Sequence, residues 1–348
     1  MGSVAPAGSP EATKPFSRFV VAAPHDGGMN SMQNSDTILQ GVNADVVKDL
    51  TPHVEQLQRF ADIVYILLET SLKSSTNISA GSIRGSIHII YGLAITQKDT
   101  IPTMLSLGAR YFEFRPADLM SIFQDVSPIP NKPHFQHACI PGLAFDEFLD
   151  QQVQFLDTHP TEIVTIHIRW DNIISECRKP TVPEIENYLS TACSKASNPL
   201  TWGGRECFSQ PIEALRDAGK RLILVIEALK YDSWTATAYA TLRADSILAQ
   251  FESMTTDGQQ STDLTVLQCQ ATSQSIKEVL VHSVMASNAS TSCLTSTKGA
   301  LDRQTLPWIR ENLLERLQAE RLVVVMNDFI DGATTDTAVE LSRTRLAL

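Results

Sequence analysis

The chain has 348 residues, of which 43% are hydrophobic, 39 are acidic and 28 are basic, so its formal net charge is -11. A chain of this length can bury a sizeable core, either as one β/α barrel with insertions or as two domains. The acidic balance argues against nucleic acid as a partner and limits membrane contact to a peripheral one. The sequence contains no run of about 18 apolar residues, so it predicts no transmembrane segment.

Residues 1–17 are rich in Gly, Ala, Pro and Ser and predict a disordered arm. The compartment stays open: the chain is cytoplasmic if Met1 is its native start and secreted if a signal peptide has been removed. The six cysteines show no CxxC spacing, which argues against zinc and leaves free thiols and disulfides both open. They are Cys139, Cys177, Cys193, Cys207, Cys269 and Cys293.

Short apolar runs alternate along the chain with amphipathic helical patterns, as a parallel sheet wound by helices requires. The runs typical of strands are 19–23, 111–114, 163–168, 222–226, 264–267 and 322–326. The clearest helix candidates are 145–156, 181–193 and 305–317. We therefore predict an α/β fold, with no internal repeat.

Residues from about 32 to 86 interrupt this alternation and predict a helical insertion after the first strand. Within them, 54–73 has apolar residues at helical spacing on one face. Such a helix packs on the outside of the main domain or serves as a lid or dimer contact, and the sequence leaves both readings open. The oligomeric state is not predicted.

Three short motifs place chemically useful side chains directly after or at the end of apolar runs. His25 and Asp26 follow the first run, and Arg115 follows the run that ends at Phe114. His137 ends the short segment that begins at His134. In a β/α barrel the ends of the strands carry the chemistry, so we expect these side chains to meet at one mouth.

In chain order, these motifs resemble those of the phosphatidylinositol-specific phospholipase C X-domain superfamily, in particular its metal-independent bacterial branch and similar fungal proteins. The matching segments are 22–28, 97–115 and 137–164. The resemblance implies a single, distorted TIM β/α barrel over residues 18–348, with the helical insertion at about 32–86. It also implies cleavage of a phosphodiester.

Such cleavage needs a base for the attacking hydroxyl, an acid for the leaving oxygen and positive charge for the phosphoryl oxygens. By resemblance, His25 is the general base, His137 is the general acid and Arg115 binds the phosphoryl oxygens. Asp26 would orient His137. A carboxylate on the last strand would orient His25, with Asp328 as the first candidate and Asp331 as the second.

Residues two apart on a strand project to the same side, so Glu113 faces inward with Arg115, and His167 with Arg169. These inward residues are expected to contribute to substrate binding. Calcium-dependent members of the superfamily carry carboxylates where this chain has Arg115 and, approximately, Arg169. We therefore predict no metal and no cofactor, with Glu113 neutralising the guanidinium groups.

The middle strands depart from the superfamily's pattern. Its inositol-binding members carry an Arg, an Asp and a Tyr there, whereas this chain has Glu227, Gln268 and Gln270 as candidate substrate-binding residues. The leading hypothesis is therefore a metal-independent phosphodiesterase or lyase that acts on a lipid headgroup or another small phosphodiester. The alternative is a barrel of the same type that isomerises, cyclises or binds a small apolar metabolite.

Overall fold

A computed structural model describes residues 1–31, 33–41, 95–138, 140–239, 243–270 and 293–348. The strands are β1 (Val20–Pro24), β2 (Tyr111–Phe114), β3 (Pro116–Ala117), β4 (His134–His137), β5 (Ile140–Ala144), β6 (Val164–Ile168), β7 (Thr201–Gly203), β8 (Lys220–Ile226), β9 (Lys230–Asp232), β10 (Leu264–Gln268) and β11 (Leu322–Asn327). The helices are α1 (Gln33–Gly41), α2 (Ile101–Leu107), α3 (Ser121–Val126), α4 (Phe145–Thr158), α5 (Val182–Cys193), α6 (Ile212–Asp217), α7 (Ala244–Ser253), α8 (Cys293–Arg316) and α9 (Gly332–Ala347).

Two parallel four-stranded sheets form the body of the fold, in the orders β1–β11–β10–β9 and β2–β6–β8–β7. A single bridge between Ala22 and Ala109 joins them along one seam. At the other seam, residues 227–229 lead from the end of β8 to the start of β9. Strands β3, β4 and β5 form a separate antiparallel sheet. The fold class is confirmed as a distorted β/α barrel, and the two seams are the distortion.

Alternation along the strands divides their side chains between two apolar layers. Val20 and Ala22 belong to the layer that includes helix residues such as Phe148 and Ile309. The other layer joins strand residues from both sheets, and it therefore fills the barrel interior. Its strand members include Val21, Ala23, Tyr111, Ile223, Val225, Val266, Val324 and Met326. In β1 and β11, for example, every second residue faces the interior, and the residue directly after the last strand residue continues on that side.

The prediction of a disordered arm at residues 1–17 is wrong. Ala5, Ala12 and Phe16 are completely buried, and the Phe16 ring stacks 6.1 Å from that of Phe208. Short 3-10 helices span Pro10–Thr13 and Phe16–Arg18. Because apolar side chains such as that of Phe208 line the barrel end where β1 begins, this segment gains enough apolar contact to become ordered.

Only α1 of the predicted insertion at about 32–86 is described, and the predicted helix at 54–73 lies outside the described residues. In the described part of the chain, Cys193, Cys207 and Cys269 have free thiols. Within the described ranges, no helix combines the length and the apolar character needed to cross a membrane.

Arg345 of α9 is 1% exposed and ties the start of β1 to the loop before β11. Its guanidinium donates to the carbonyl oxygens of Phe19, Gln318 and Arg321, at 3.2, 2.6 and 2.6 Å. Burial lowers the pKa of this group to about 10. The buried guanidinium therefore joins three carbonyl groups from two separate segments.

We expect Arg345→Met to lower the free energy of unfolding by about 3 kcal/mol, since it removes three hydrogen bonds donated by a buried charged group. Urea denaturation measures this change. The matched control is Arg343→Met, because Arg343 is exposed on the same helix and its loss should cost less than about 0.5 kcal/mol. Equal midpoints for the two variants would contradict this account.

Candidate active site

The predicted catalytic side chains lie at the carboxyl ends of the strands, as expected. His25 follows β1, Arg115 follows β2, and His137 ends β4. Arg169 follows β6 and Asp328 follows β11. The carboxyl ends of parallel strands meet at one mouth of a barrel, so five distant parts of the sequence converge there.

The parallel register of β1 and β11 aligns His25 with Asp328. Pro24 pairs with Asn327, and the His25 backbone N–H donates to the Asn327 carbonyl at 2.9 Å. The ring nitrogen Nδ1 of His25 then lies 2.8 Å from Asp328 Oδ1. This bond leaves Nε2 as the nitrogen available for proton transfer at the mouth.

Asp26 is completely buried and lies among three cationic or titratable groups. Its Oδ1 is 2.8 Å from Arg115 Nη2. Its Oδ2 is 3.6 Å from His137 Nε2 and 3.8 Å from His25 Nε2. The structure therefore brings together His25, His137 and Arg115 around one carboxylate, and the closest partner of this carboxylate is Arg115 rather than His137.

A chain of ion pairs continues from Arg115 across the mouth. Arg115 Nη2 is 3.4 Å from Glu113 Oε1, and the other oxygen of Glu113 bonds to Arg169. Arg169 also bonds to Asp171 at 2.6 Å. Burial alone would raise the pKa of Glu113, but Arg169 and Arg115 outweigh it and hold this pKa well below its ordinary value. Glu113 is thus a fixed negative charge that orients both guanidinium groups.

The same electrostatics make His25 unusually basic. Burial alone would lower its pKa, but the Asp26 charge and the hydrogen bond to Asp328 raise it from 6.5 to about 9. Burial raises the pKa of Asp328, although the contact with His25 opposes this. In the free site His25 is therefore a cation at neutral pH, held between two carboxylates.

His167, expected to bind substrate, is instead committed to the barrel interior. It is 1% exposed, its Nδ1 lies 2.5 Å from the Tyr111 hydroxyl, and its Nε2 accepts from the Ala228 N–H at 3.2 Å. Burial, together with the Arg169 charge, lowers its pKa to about 3. His167 is therefore a neutral structural imidazole below the mouth. Alternation alone does not reveal this, because it gives the side of a strand but not the depth.

The three candidates from the middle strands make contacts within the protein. Glu227 is exposed and accepts from the Trp170 backbone N–H at 3.2 Å. Gln268 and Gln270 are buried, Gln270 donates to Gln268, and Gln268 donates to Asp232 at 2.7 Å. In the described residues these glutamines form a polar cluster on the β9 side.

Sequence reasoning missed Lys230 and Asp232, which pair at 2.5 Å in this cluster. Lys230 lowers the pKa of Glu113 and that of Asp171. Its effect is smaller than those of burial and of the arginines. Their spacing of two residues is that of side chains on the same side of a strand. However, the segment has only three residues and lacks an apolar run.

Positive φ angles recur where strands end at the mouth. Asp26, Ala138, Glu227 and Phe329 have φ of 45°, 58°, 47° and 46°. Non-glycine residues adopt this conformation rarely, and such strain costs about 1–3 kcal/mol per residue and concentrates at functional sites. Ala138 directly follows His137, and Phe329 directly follows Asp328, so the chain turns sharply immediately after each of these two side chains.

His25, Asp26 and Glu113 offer ligand atoms within 4.8 Å of one another, as a cation site would. However, Arg115 forms ion pairs with both carboxylates, and Arg169 forms one with Glu113. A divalent cation would have to displace or face these guanidinium groups. The donor set therefore fits a metal poorly, and we assign no metal ligands.

Comparison of the sequence with family models and with curated proteins finds no match. Solved structures do resemble the chain. The phosphatidylinositol-specific phospholipase C from Listeria monocytogenes has a TM-score of 0.50 at 12% identity, with 95% of each chain covered. A variant of the phosphatidylinositol-specific phospholipase C from Staphylococcus aureus has a TM-score of 0.47 at 12% identity, covering 95% of this chain and 96% of that one.

The likeness to the Listeria protein covers nearly the whole chain and concerns the fold. The chain thus has the barrel fold of bacterial phosphatidylinositol-specific phospholipase C. This confirms the fold that the ordered motifs predicted, but an identity of 12% leaves the reaction and the substrate to be argued from the site.

We expect His25 to titrate at about pH 9 in the free protein and Asp328→Asn to lower this value, because the substitution removes a negative charge that favours the imidazolium. NMR titration of labelled histidines measures both. Asp171→Asn is the control, since the Asp171 carboxylate bonds to Arg169. An unchanged His25 titration in Asp328→Asn would contradict the pairing.

Proposed function

We propose that this protein is a metal-independent phosphodiesterase or lyase that cleaves a lipid headgroup or another small phosphodiester. The observation that carries the proposal is the position of the buried Asp26 carboxylate between Arg115, His137 and His25. Two imidazoles and one guanidinium at a single mouth match the base, the acid and the anion-binding group that phosphodiester cleavage needs.

In this mechanism, Nε2 of neutral His25 accepts the proton of the attacking hydroxyl as that oxygen bonds to phosphorus. His137 donates a proton to the leaving oxygen as its bond to phosphorus breaks, while Arg115 stabilises the charge on the phosphoryl oxygens. If the attacking hydroxyl belongs to the substrate, the first product is a cyclic phosphate; if it belongs to water, the product is a phosphomonoester.

The raised pKa of His25 sets the pH dependence of this mechanism. The base must be neutral, yet His25 is a cation below about pH 9 in the free site. The ratio kcat/KM should therefore rise between neutrality and about pH 9, as His25 loses its proton.

The polar cluster on the β9 side supports a substrate without an inositol ring. Gln268 and Gln270 hydrogen-bond to Asp232 and to each other, and Glu227 holds the backbone of Trp170. The residues of these strands that were expected to bind substrate thus make hydrogen bonds within the protein. We therefore propose phosphoryl chemistry at this site without recognition of an inositol ring.

A panel of phosphodiesters, assayed with and without EDTA, tests the proposal. It should contain phosphatidylinositol, phosphatidylcholine and glycerophosphodiesters. Cleavage that survives EDTA supports the metal-independent mechanism. Loss of activity on chelation, restored by calcium, would contradict it, and inactivity on the whole panel together with turnover of a small apolar metabolite would favour the alternative.

We expect His25→Gln and His137→Gln each to lower kcat by roughly 100-fold or more, the usual contribution of a general acid or base. Steady-state kinetics on the best substrate of the panel measure the effect. His159→Gln is the control, because His159 follows α4, bonds to the Phe155 carbonyl and is exposed. A histidine whose replacement leaves kcat unchanged has no part in the mechanism.

Phosphatidylinositol should be no better a substrate than phosphatidylcholine or simple glycerophosphodiesters. The physical reason is that a site without partners for the ring hydroxyls loses discrimination that reaches roughly 10,000-fold where such partners are built in. Comparison of kcat/KM across the panel measures it. A clear preference for phosphatidylinositol would refute this part of the proposal and would place ring contacts in other residues.

A further inference from the structure

Thr96 and Gln97 lie between the two loops that carry His25 and Asp328. They precede α2, and both are buried, at 2% and 1% exposure. Their backbone N–H groups point to the carbonyl of Met29, at 3.3 and 3.4 Å. The dipeptide therefore packs against the turn after β1.

The Gln97 side chain bonds to the backbone of both loops. Its Nε2 donates to the carbonyl of His25 at 2.9 Å and to that of Asn327 at 3.1 Å. Its Oε1 accepts from the Ile330 N–H at 2.9 Å. One buried amide thus connects the residue that is the proposed base with the residues on either side of Asp328.

Thr96 extends the same connection to two strained positions. Its hydroxyl donates to the Asp26 carbonyl at 3.1 Å, and its carbonyl accepts from the Phe329 N–H at 2.7 Å. Asp26 and Phe329 have φ of 45° and 46°, which non-glycine residues adopt only when their surroundings impose it. The dipeptide supplies hydrogen bonds that hold both turns.

We propose that Gln97 is a positioning residue, which sets the distance between His25 and Asp328 by bonding the backbone of both strand ends. This inference rests on the proposed function for its effect on rate, but its structural content does not. Without the amide, β1 and β11 still pair, but the loops beyond them lose the bonds that fix where the imidazole and its carboxylate meet.

The test compares Gln97→Met with Gln259→Met. Gln259 is a matched control in the segment that precedes β10. Gln259 is also a fully buried glutamine that joins two segments: it donates to Thr265 at 2.6 Å and accepts from the Gln318 N–H at 2.6 Å. Both variants lose a buried amide of equal size. Only Gln97→Met should change the site.

Two readouts are measured on each folded variant. The first is the NMR signal of the His25 Nδ1–H proton, whose hydrogen bond to Asp328 Oδ1 shields it from exchange. We expect Gln97→Met to weaken or abolish this signal and Gln259→Met to retain it. The second is kinetic: Gln97→Met should lower kcat by about 10- to 100-fold, with KM changed less than about twofold, as misplacement of a catalytic group predicts.

Gln97→Glu keeps the proposal testable if Gln97→Met does not fold, because it preserves the acceptor for Ile330 and removes the two donated bonds. The signal needs no substrate, so its loss supports the inference even if the whole phosphodiester panel is inert. An unchanged signal in the folded Gln97 variants, or equal losses of signal in Gln259→Met, would overturn it.

Discussion

The buried carboxylate of Asp26 is the interaction on which the mouth of this barrel depends. A completely buried negative charge is costly unless cations and hydrogen bonds compensate it. Arg115 provides the nearest compensation, at 2.8 Å, and the two histidines lie on the other oxygen. The arrangement therefore gathers the groups for phosphoryl chemistry because each of them stabilises the same charge.

The charges around Asp26 are themselves paired with further charged groups. Arg115 also contacts Glu113, which in turn binds Arg169, so positive and negative groups alternate from β1 to β6. On the other side, Asp328 pairs with His25 because β1 and β11 run in parallel register. The positive charges of Arg115 and of the His25 imidazolium would favour an anion at the mouth, although the chain as a whole is acidic.

Much of the fold and part of the site could be predicted from the sequence. Buried parallel strands give continuous apolar runs, and the position of His25, Arg115 and Asp328 after such runs, together with the resemblance of the motifs to the phospholipase C superfamily, made these residues candidates. How far a side chain lies below the mouth of the barrel could not be predicted in this way. His167 has the correct side of its strand, but it lies one step below the mouth and bonds to Tyr111 and Ala228.

Residues that act through tertiary contact left little sequence signal. The segment 1–17 has a composition typical of disorder, yet Phe16 packs on Phe208, which lies far away in the sequence. Lys230 and Asp232 stand on a three-residue strand that no periodicity reveals. Gln97 was evident only as part of a motif, because its bonds reach across more than 230 positions to Ile330.

The most direct test of the account is a crystal structure of the protein soaked with inorganic phosphate or vanadate. We expect an anion at the mouth, with its oxygens bound by Arg115 and with the Nε2 atoms of His25 and His137 on either side of it. An anion bound elsewhere, or a mouth that excludes the anion while an apolar ligand occupies it, would contradict the assignment of phosphoryl chemistry to this site.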